Sequence, residues 1–404
     1  MRRFFKTAFA LGLMGLAICA PLVGNAYYCS KEVISHANES LIMAPEEAME
    51  KQALGLTARS YILYEPTSQE VLLSHNEAEK FSIASMTKMM TLLIVMEELN
   101  AGNLSLNQEV LISEYAASQE GSECFLDPLK SYQLDELIKS VVVASANDST
   151  VALAELVAGS EEMFAKKMNE KAKALGLSNT HFVNATGLDT SGHYGSAEDM
   201  AKIITQLSKY ELLSQMSKTW VYDMQHSGGR VTNLTNTNRL IRSNPDCYFA
   251  KTGHTDDAGY CITVYAKRGG MDLVACVMGV KDSKIRFEEV TRLLNYGFSN
   301  FELEKIIDTD SPLGKIEITN SNTKEVEFFA KDSYSHLSKK GEDLGVSTEI
   351  NLISPKLSAP LKQGDKVGEL TIKVGDHKEI INLVIKADIN ERSLKEIIEQ
   401  LITY

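Results

Sequence analysis

The sequence predicts an α/β domain followed by a small all-β domain, and three observations carry that expectation. Up to about Phe301, helix-like and strand-like apolar patterns alternate. From Ile306 to Asp388 only short alternating strands remain, at 314–319, 325–329, 349–353, 366–374 and 379–386, separated by the turn signals Pro312, Gly364-Asp365 and Gly375-Asp376. The chain of 404 residues is long enough for two domains.

Residues 1–26 open with Arg2, Arg3 and Lys6, continue through an apolar stretch at 8–20, and end with Gly24 and Ala26 framing Asn25. This is the layout of a secretory signal peptide, its apolar stretch being short for a membrane span. The chain is therefore expected to be exported and to work outside the cytoplasmic membrane. Losing the leader removes three cations and takes the formal charge from −13 to −16, a surface that repels nucleic acid and anionic lipid. Of six cysteines, Cys19 leaves with the leader, and five at irregular spacing form neither a disulfide framework nor a zinc site. Cys261 and Cys276 sit on opposite arms of an expected hairpin turning near Arg268-Gly269-Gly270. Two small buried side chains on central strands are the plainer reading there than a facing pair.

Residues 82–99 predict a buried helix, because Met86, Met89, Met90, Leu92, Leu93, Ile94, Val95, Met96 and Leu99 surround its axis. Ser85 and Lys88 lie three apart in it, on one face, so the amine reaches the hydroxyl. Burying an ammonium is costly, and the usual relief is a lowered pKa that leaves a neutral amine able to take a proton. A serine beside such a base is an activated nucleophile. The four-letter pattern alone decides little, since Ser321-Asn322-Thr323-Lys324 repeats it in a polar turn. Two further elements follow in order. Ser145-Ala146-Asn147 comes after the helix-like run 137–144, and Lys251-Thr252-Gly253 precedes an apolar alternating strand. Ser-x-Asn also occurs at Ser74-His75-Asn76 and Ser105-Leu106-Asn107, whereas Lys-Thr-Gly occurs once. The ordered triple is the signature of penicillin-binding proteins and serine β-lactamases.

With these residues in place, the chain resembles the D-alanyl-D-alanine carboxypeptidases, the low-molecular-mass penicillin-binding proteins. The likeness is carried by Ala84-Ser85-Met86-Thr87-Lys88-Met89-Met90-Thr91, Ser145-Ala146-Asn147-Asp148, Phe182-Val183-Asn184-Ala185-Thr186-Gly187-Leu188, Ala197-Glu198-Asp199-Met200-Ala201, and Lys251-Thr252-Gly253-His254-Thr255 with Ala258-Gly259-Tyr260. It covers residues 45–300. The β-rich segment 302–388 resembles the family's second domain, and 389–404 a terminal amphipathic helix. The resemblance implies a five-stranded, largely antiparallel sheet with helices on both faces, no cofactor, and no metal.

It also implies a reaction: attack on the bond between the last two D-alanines of a peptidoglycan stem peptide, release of D-alanine, and hydrolysis of the acyl-enzyme. β-Lactam antibiotics would acylate the same serine. Ser85 is then the nucleophile, Lys88 its base, and Ser145 the relay to the leaving amine. Ser85 and His254 would supply the oxyanion-hole amides. Lys251 lowers the Lys88 pKa and holds Ser145 or the substrate carboxylate; Thr252, Gly253 and Thr255 line that carboxylate site, and Asn147 offers its amide to the substrate backbone. A helix cap is the structural alternative for Asn147, a solvated strand end for Lys251, and an imidazole without catalytic duty for His254. Relatives often place an arginine after the final core strand; here Lys281 stands there, with Arg286 beyond it.

Three other functions remain open from sequence. A class A β-lactamase needs a Glu-x-x-Asn loop, and Glu155, Glu161, Glu162, Glu170, Glu198 and Glu211 all lack the asparagine. Endopeptidase or transpeptidase action uses the same acyl-enzyme. A catalytically silent wall-binding protein would not be labelled by a fluorescent penicillin. At the C-terminus, Leu394, Ile397, Ile398, Leu401 and Ile402 form one apolar stripe, expected to attach peripherally to the membrane or to dock on the β-rich domain.

Overall fold

The computed structural model describes residues 53–395 and residue 398. The signal segment 1–26 and most of the C-terminal stripe therefore lie outside the described residues.

The chain enters through a hairpin, β1 (Ser60–Glu65) and β2 (Glu70–His75), and then crosses to the helical lobe. That lobe is built on α1 (Lys88–Asn100), α2 (Leu134–Ala144), α3 (Asn147–Ala158), α4 (Glu161–Ala174) and α5 (Ala197–Leu207). Their starts follow local chemistry. The Ser160 and Ser196 hydroxyls cap α4 and α5 by accepting from Met163 N and Asp199 N, and a Gln133/Glu136 capping box opens α2. The chain returns through β3 (Cys247–Thr255), β4 (Gly259–Arg268) and β5 (Met271–Val280), then α6 (Ser283–Asn300), capped by the Asp282 carboxylate.

The sheet order is β2-β1-β5-β4-β3, with every pair antiparallel. Its central strands read as continuous apolar runs because both faces are covered. Period-two alternation assigns each residue a side. Ile62, Val274, Cys276 and Met278 face the core shared with α1 to α5; Leu63, Ile262, Val264 and Val277 face α6. This is the expected α/β architecture with helices on both faces. Cys261 and Cys276 are free and buried, and Cys276 faces Thr263 across the hairpin, so the plainer cysteine reading holds.

β3 is an edge strand, and α6 covers the sheet behind it. The buried Glu289 carboxylate on α6 accepts from Thr57 N at 2.7 Å and Ala58 N at 3.0 Å, fixing the segment that leads into β1.

From α6 the chain runs directly into β6 (Phe301–Ile307), and the second domain follows: β7 (Gly314–Thr319), β8 (Glu325–Ala330), β9 (Tyr334–Lys339), β10 (Ser347–Leu352), β11 (Lys356–Ser358), β12 (Lys366–Val374) and β13 (His377–Ile385). Six of these form a sheet in the order β10-β12-β13-β8-β7-β11, while β6 and β9 pair as a ribbon whose Leu337 joins the core between the five-stranded sheet and α6. Ser321-Asn322-Thr323-Lys324 is the β7–β8 turn. The expected helical segment 389–404 begins differently: Ile389 is buried and bridges to Leu361 in the β domain, and helix is described at Leu394, Lys395 and Ile398, with Leu394 and Ile398 exposed.

Candidate active site

Ser85 sits in a single 3-10 turn, Ala84–Thr87, that feeds straight into α1, of which Lys88 is the first residue. The expected continuous α-helix is thus a 3-10/α junction. In a 3-10 turn residues i and i+3 eclipse, which brings the pair together. Lys88 Nζ lies 2.9 Å from Ser85 Oγ and donates to the Thr186 carbonyl at 2.7 Å. Burial drives the Lys88 pKa well below the usual lysine value, and the charge of Lys251 adds to that; Asp148 and Glu161 pull the other way. Lys88 is fully buried while Ser85 is half-buried, so the nucleophile faces the cleft and its base lies beneath it.

The turn is clamped from two sides. A Cβ added at Gly253 in β3 would lie 2.8 Å from the Ile83 carbonyl; one at Gly187, φ +83, would lie 1.9 Å from the Ala84 carbonyl. Only glycine allows both approaches. Thr263 in β4 also donates to Met86 Sδ at 3.2 Å, tying the turn to the sheet.

Ser145 ends α2 in the left-handed conformation, φ 61 and ψ 35, an uncommon backbone for a non-glycine residue and one often found at functional positions. Its Oγ accepts from Lys251 Nζ at 2.7 Å, and Lys251 also donates to the Thr252 carbonyl at 3.0 Å. Burial, together with the Arg286 charge, pushes the Lys251 pKa down to about 7. Ser85, Lys88, Ser145 and Lys251 therefore come together from one helix start, one helix end and one strand. Among the described residues the outer edge of β3 has no partner strand in the sheet, which leaves backbone groups for an extended peptide to pair with.

The remaining candidates sit as follows. Asn147 is the first residue of α3, behind Ala146 as N-cap, and its amide donates to the Glu120 carbonyl at 2.5 Å. It straps the 120–122 loop rather than capping the helix. Thr252 Oγ1 donates to Thr237 Oγ1 at 3.0 Å. The Thr255 hydroxyl, expected near the substrate carboxylate, donates instead to Asp189 at 2.9 Å, and Ser82 donates to the same oxygen. The exposed His254 ring stacks on Tyr260 at 4.0 Å. Lys281 is exposed, whereas Arg286 is buried behind β3, where it donates to the Gly253 carbonyl at 3.0 Å.

Sequence reasoning missed three supporting residues. Thr186 supplies the carbonyl that orients Lys88. The buried Asp148 carboxylate accepts from Cys124 N, Leu126 N and Ser149 N, holding the loop beside Asn147. His193, pushed down to about 4 by burial, accepts from Val183 N on Nδ1, so Nε2 carries the proton toward Thr87 Oγ1, 2.7 Å away. The first two stand in motif blocks already quoted; His193 has no sequence signal beyond lying near one.

Residues 47–282 match a family model described as D-alanyl-D-alanine carboxypeptidase, and 301–391 one described as penicillin-binding protein 5, C-terminal domain. The chain is 39% identical over 331 residues to D-alanyl-D-alanine carboxypeptidase DacF of Bacillus subtilis, covering 82% of this chain and 85% of that one. It is 33% identical over 396 residues to the carboxypeptidase DacC of Escherichia coli, covering 95% and 94%. Among solved structures, penicillin-binding protein 5 from Haemophilus influenzae superposes with a TM-score of 0.70 at 30% identity, over 83% of this chain and 98% of that chain. Together with the four converging side chains, these matches show that the chain belongs to the D-alanyl-D-alanine carboxypeptidase family of low-molecular-mass penicillin-binding proteins.

Proposed function

We propose that Ser85 is the nucleophile, Lys88 the base and Ser145 the proton relay of this serine-type D-Ala-D-Ala carboxypeptidase. Lys88 takes the Ser85 proton, and Oγ attacks the carbonyl of the penultimate D-alanine. The oxyanion forms against the amides of Ser85 and His254, donors of a kind worth ~3 kcal/mol of barrier each. Ser145 passes a proton to the leaving amine, D-alanine departs, and water hydrolyses the ester. Lys251 and Thr252 hold the terminal carboxylate; Asn147, which spends one amide hydrogen on Glu120, turns the rest of its amide to the peptide. A β-lactam follows the same first step.

One observation carries this reading: a fully buried lysine nitrogen 2.9 Å from a half-buried serine hydroxyl. Incubating the purified protein with a stem pentapeptide should release free D-alanine, and Ser85→Ala should release none. D-alanine release by that variant would remove Ser85 from the role.

The chain is further proposed to be exported by residues 1–26 and to act at the cell wall, with the apolar stripe at its C-terminus attaching it peripherally to the membrane. Among the described residues no helix is long and apolar enough to cross a membrane. Deleting residues from Arg392 onward and fractionating cells tests the attachment: a truncated protein that stays with membranes as fully as the intact one would contradict it.

A further inference from the structure

The five-stranded sheet has two edges: β3, which carries Lys251, and β2 at the opposite end, four strand spacings or ~19 Å away. Where the β2 edge meets the β-rich domain, a cleft of about 290 Å³ opens. Ser68 and Glu70 line it from the β1–β2 hairpin, Tyr334 and His336 from β9, and His377 and Glu379 from β13; the rest of its lining bears hydroxyls. The buried Glu65 carboxylate folds the hairpin end by accepting from Thr67 N at 3.0 Å and Ser68 N at 2.5 Å. Ser68 Oγ is itself buried in the cleft wall without a hydrogen-bond partner, a costly state that a ligand's polar group would relieve.

Three rings cluster on the other wall. Tyr334 and His377 are parallel within 1°, their centroids 6.2 Å apart, and His336 is tilted 37° to both at 6.4 and 6.0 Å, so the ring faces point nearly the same way. Burial raises the Tyr334 pKa and the charges of Glu379 and Glu70 add to it, which sets both carboxylates near that ring. No lysine or arginine lines the cleft, and His377 approaches Glu379 only to 3.9 Å.

This lining excludes several ligand classes. It offers no aliphatic side chain to an apolar ligand, and its two carboxylates, with no basic residue beside them, repel phosphate and carboxylate groups. Among the described residues no three His, Cys, Asp or Glu side chains are placed to hold a metal ion. An ammonium has only donors, so it would use the carboxylates and leave the hydroxyl hydrogens unanswered. A sugar both donates and accepts, and its ring has a face of C–H groups that packs on an aromatic face. The volume lies near the lower end for ligand pockets and suits a single ring-sized unit.

We propose that this cleft binds a sugar unit of the polymer whose stem peptides the enzyme trims, holding the insoluble substrate at a point remote from the chemistry. The inference rests on the carboxypeptidase reading. Tyr334 carries the face of the sugar ring, Glu70 and Glu379 accept from its hydroxyls, and Ser68 Oγ gains the partner it lacks. The enzyme thus grips the sugar chain at the β2 edge while a stem peptide reacts at the β3 edge.

The test uses the full purified protein with three probes: a soluble N-acetylglucosamine tetramer, a soluble pentapeptide, and insoluble peptidoglycan carrying pentapeptide stems. Saturation-transfer NMR should show the tetramer bound, and Tyr334→Ala and Glu379→Gln should each weaken that binding about tenfold or more. Both variants should keep kcat/KM on the pentapeptide within about threefold, yet release D-alanine from the insoluble polymer about tenfold more slowly. Thermal melts identify a variant that has lost its fold; Ser68→Ala, which removes one hydroxyl, then carries the comparison with an expected loss of about threefold in tetramer binding. A tetramer that does not bind the intact protein would overturn the proposal. So would folded variants that treat the polymer normally, or that lose equally on polymer and pentapeptide. If the tetramer binds but the intact protein releases no D-alanine from the pentapeptide, the sugar site stands and the carboxypeptidase reading fails.

Discussion

Lys251 Nζ lies 2.7 Å from Ser145 Oγ, so the hydroxyl proposed to relay a proton is held by a lysine whose own pKa is pushed down to about 7. The same charge presses on Lys88, whose pKa is driven well below the usual lysine value by burial first and by Lys251 second. The proposed roles require the first to be cationic and the second neutral.

This arrangement fixes the pH profile. Under the proposed roles activity needs Lys88 neutral and Lys251 charged, so kcat/KM, which reports the free enzyme, should fall on the acid side as Lys88 gains a proton and above about pH 7 as Lys251 loses one. Lys251→Arg should abolish the alkaline limb, since guanidinium does not titrate there. Arg286→Gln removes a charge that lowers Lys251, and should move that limb upward. A limb unchanged in both variants would assign it to another group.

Stability carries the same signature with a defined sign. Between about pH 7 and the ordinary lysine value of 10.5, the unfolded chain holds a proton that folded Lys251 has lost. That group therefore makes the fold more stable as pH rises through the window, and its full cost is present below pH 7. Urea titrations at pH 6.5 and 9 should show the difference shrink in Lys251→Met.

Lys88→Arg keeps the charge and cannot accept the Ser85 proton. Acylation by penicillin should slow by about 10² or more, the usual share of a general base. Stopped-flow acylation kinetics measure it, and a near-normal rate would take the base role from Lys88.

Ser145→Ala should lose most peptide turnover yet acylate with a β-lactam comparatively well, because a strained lactam needs less help from a protonated leaving group. Parallel assays on the two substrates check the split. Equal losses on both would mean that Ser145 acts before the leaving group departs.

Gly187→Ala should destabilise the protein and abolish acylation, since its Cβ would overlap the Ala84 carbonyl beside Ser85. Gly192→Ala is the control. It has a similar φ, +84, but its nearest neighbour would be 3.9 Å away, so only the backbone cost of about 1–3 kcal/mol applies. Thermal melts that rank the two variants the other way would contradict the clamp.

Much of this was legible in the sequence. The ordered motifs name the four side chains that converge, and the apolar runs predict the sheet because both its faces are buried. Strands with clean alternation, Gly314–Thr319 and Lys366–Val374, were found at their observed bounds. The ribbon strands Phe301–Ile307 and Tyr334–Lys339 were missed. The second, Tyr-Ser-His-Leu-Ser-Lys, is largely polar and carries one apolar core residue, Leu337, so it gives little periodic signal. Long-range partners were equally invisible: nothing local tells that Thr255 turns to Asp189, 66 residues away, or that Arg286 is buried behind β3.

The most direct measurement is the mass of the intact protein after exposure to penicillin, followed by mapping of the modified peptide. One adduct on the peptide containing Ser85, absent from Ser85→Ala, is the predicted result. An adduct that persists in Ser85→Ala, or that maps to another residue of the unmodified chain, would contradict the assignment of Ser85 and Lys88 as nucleophile and base.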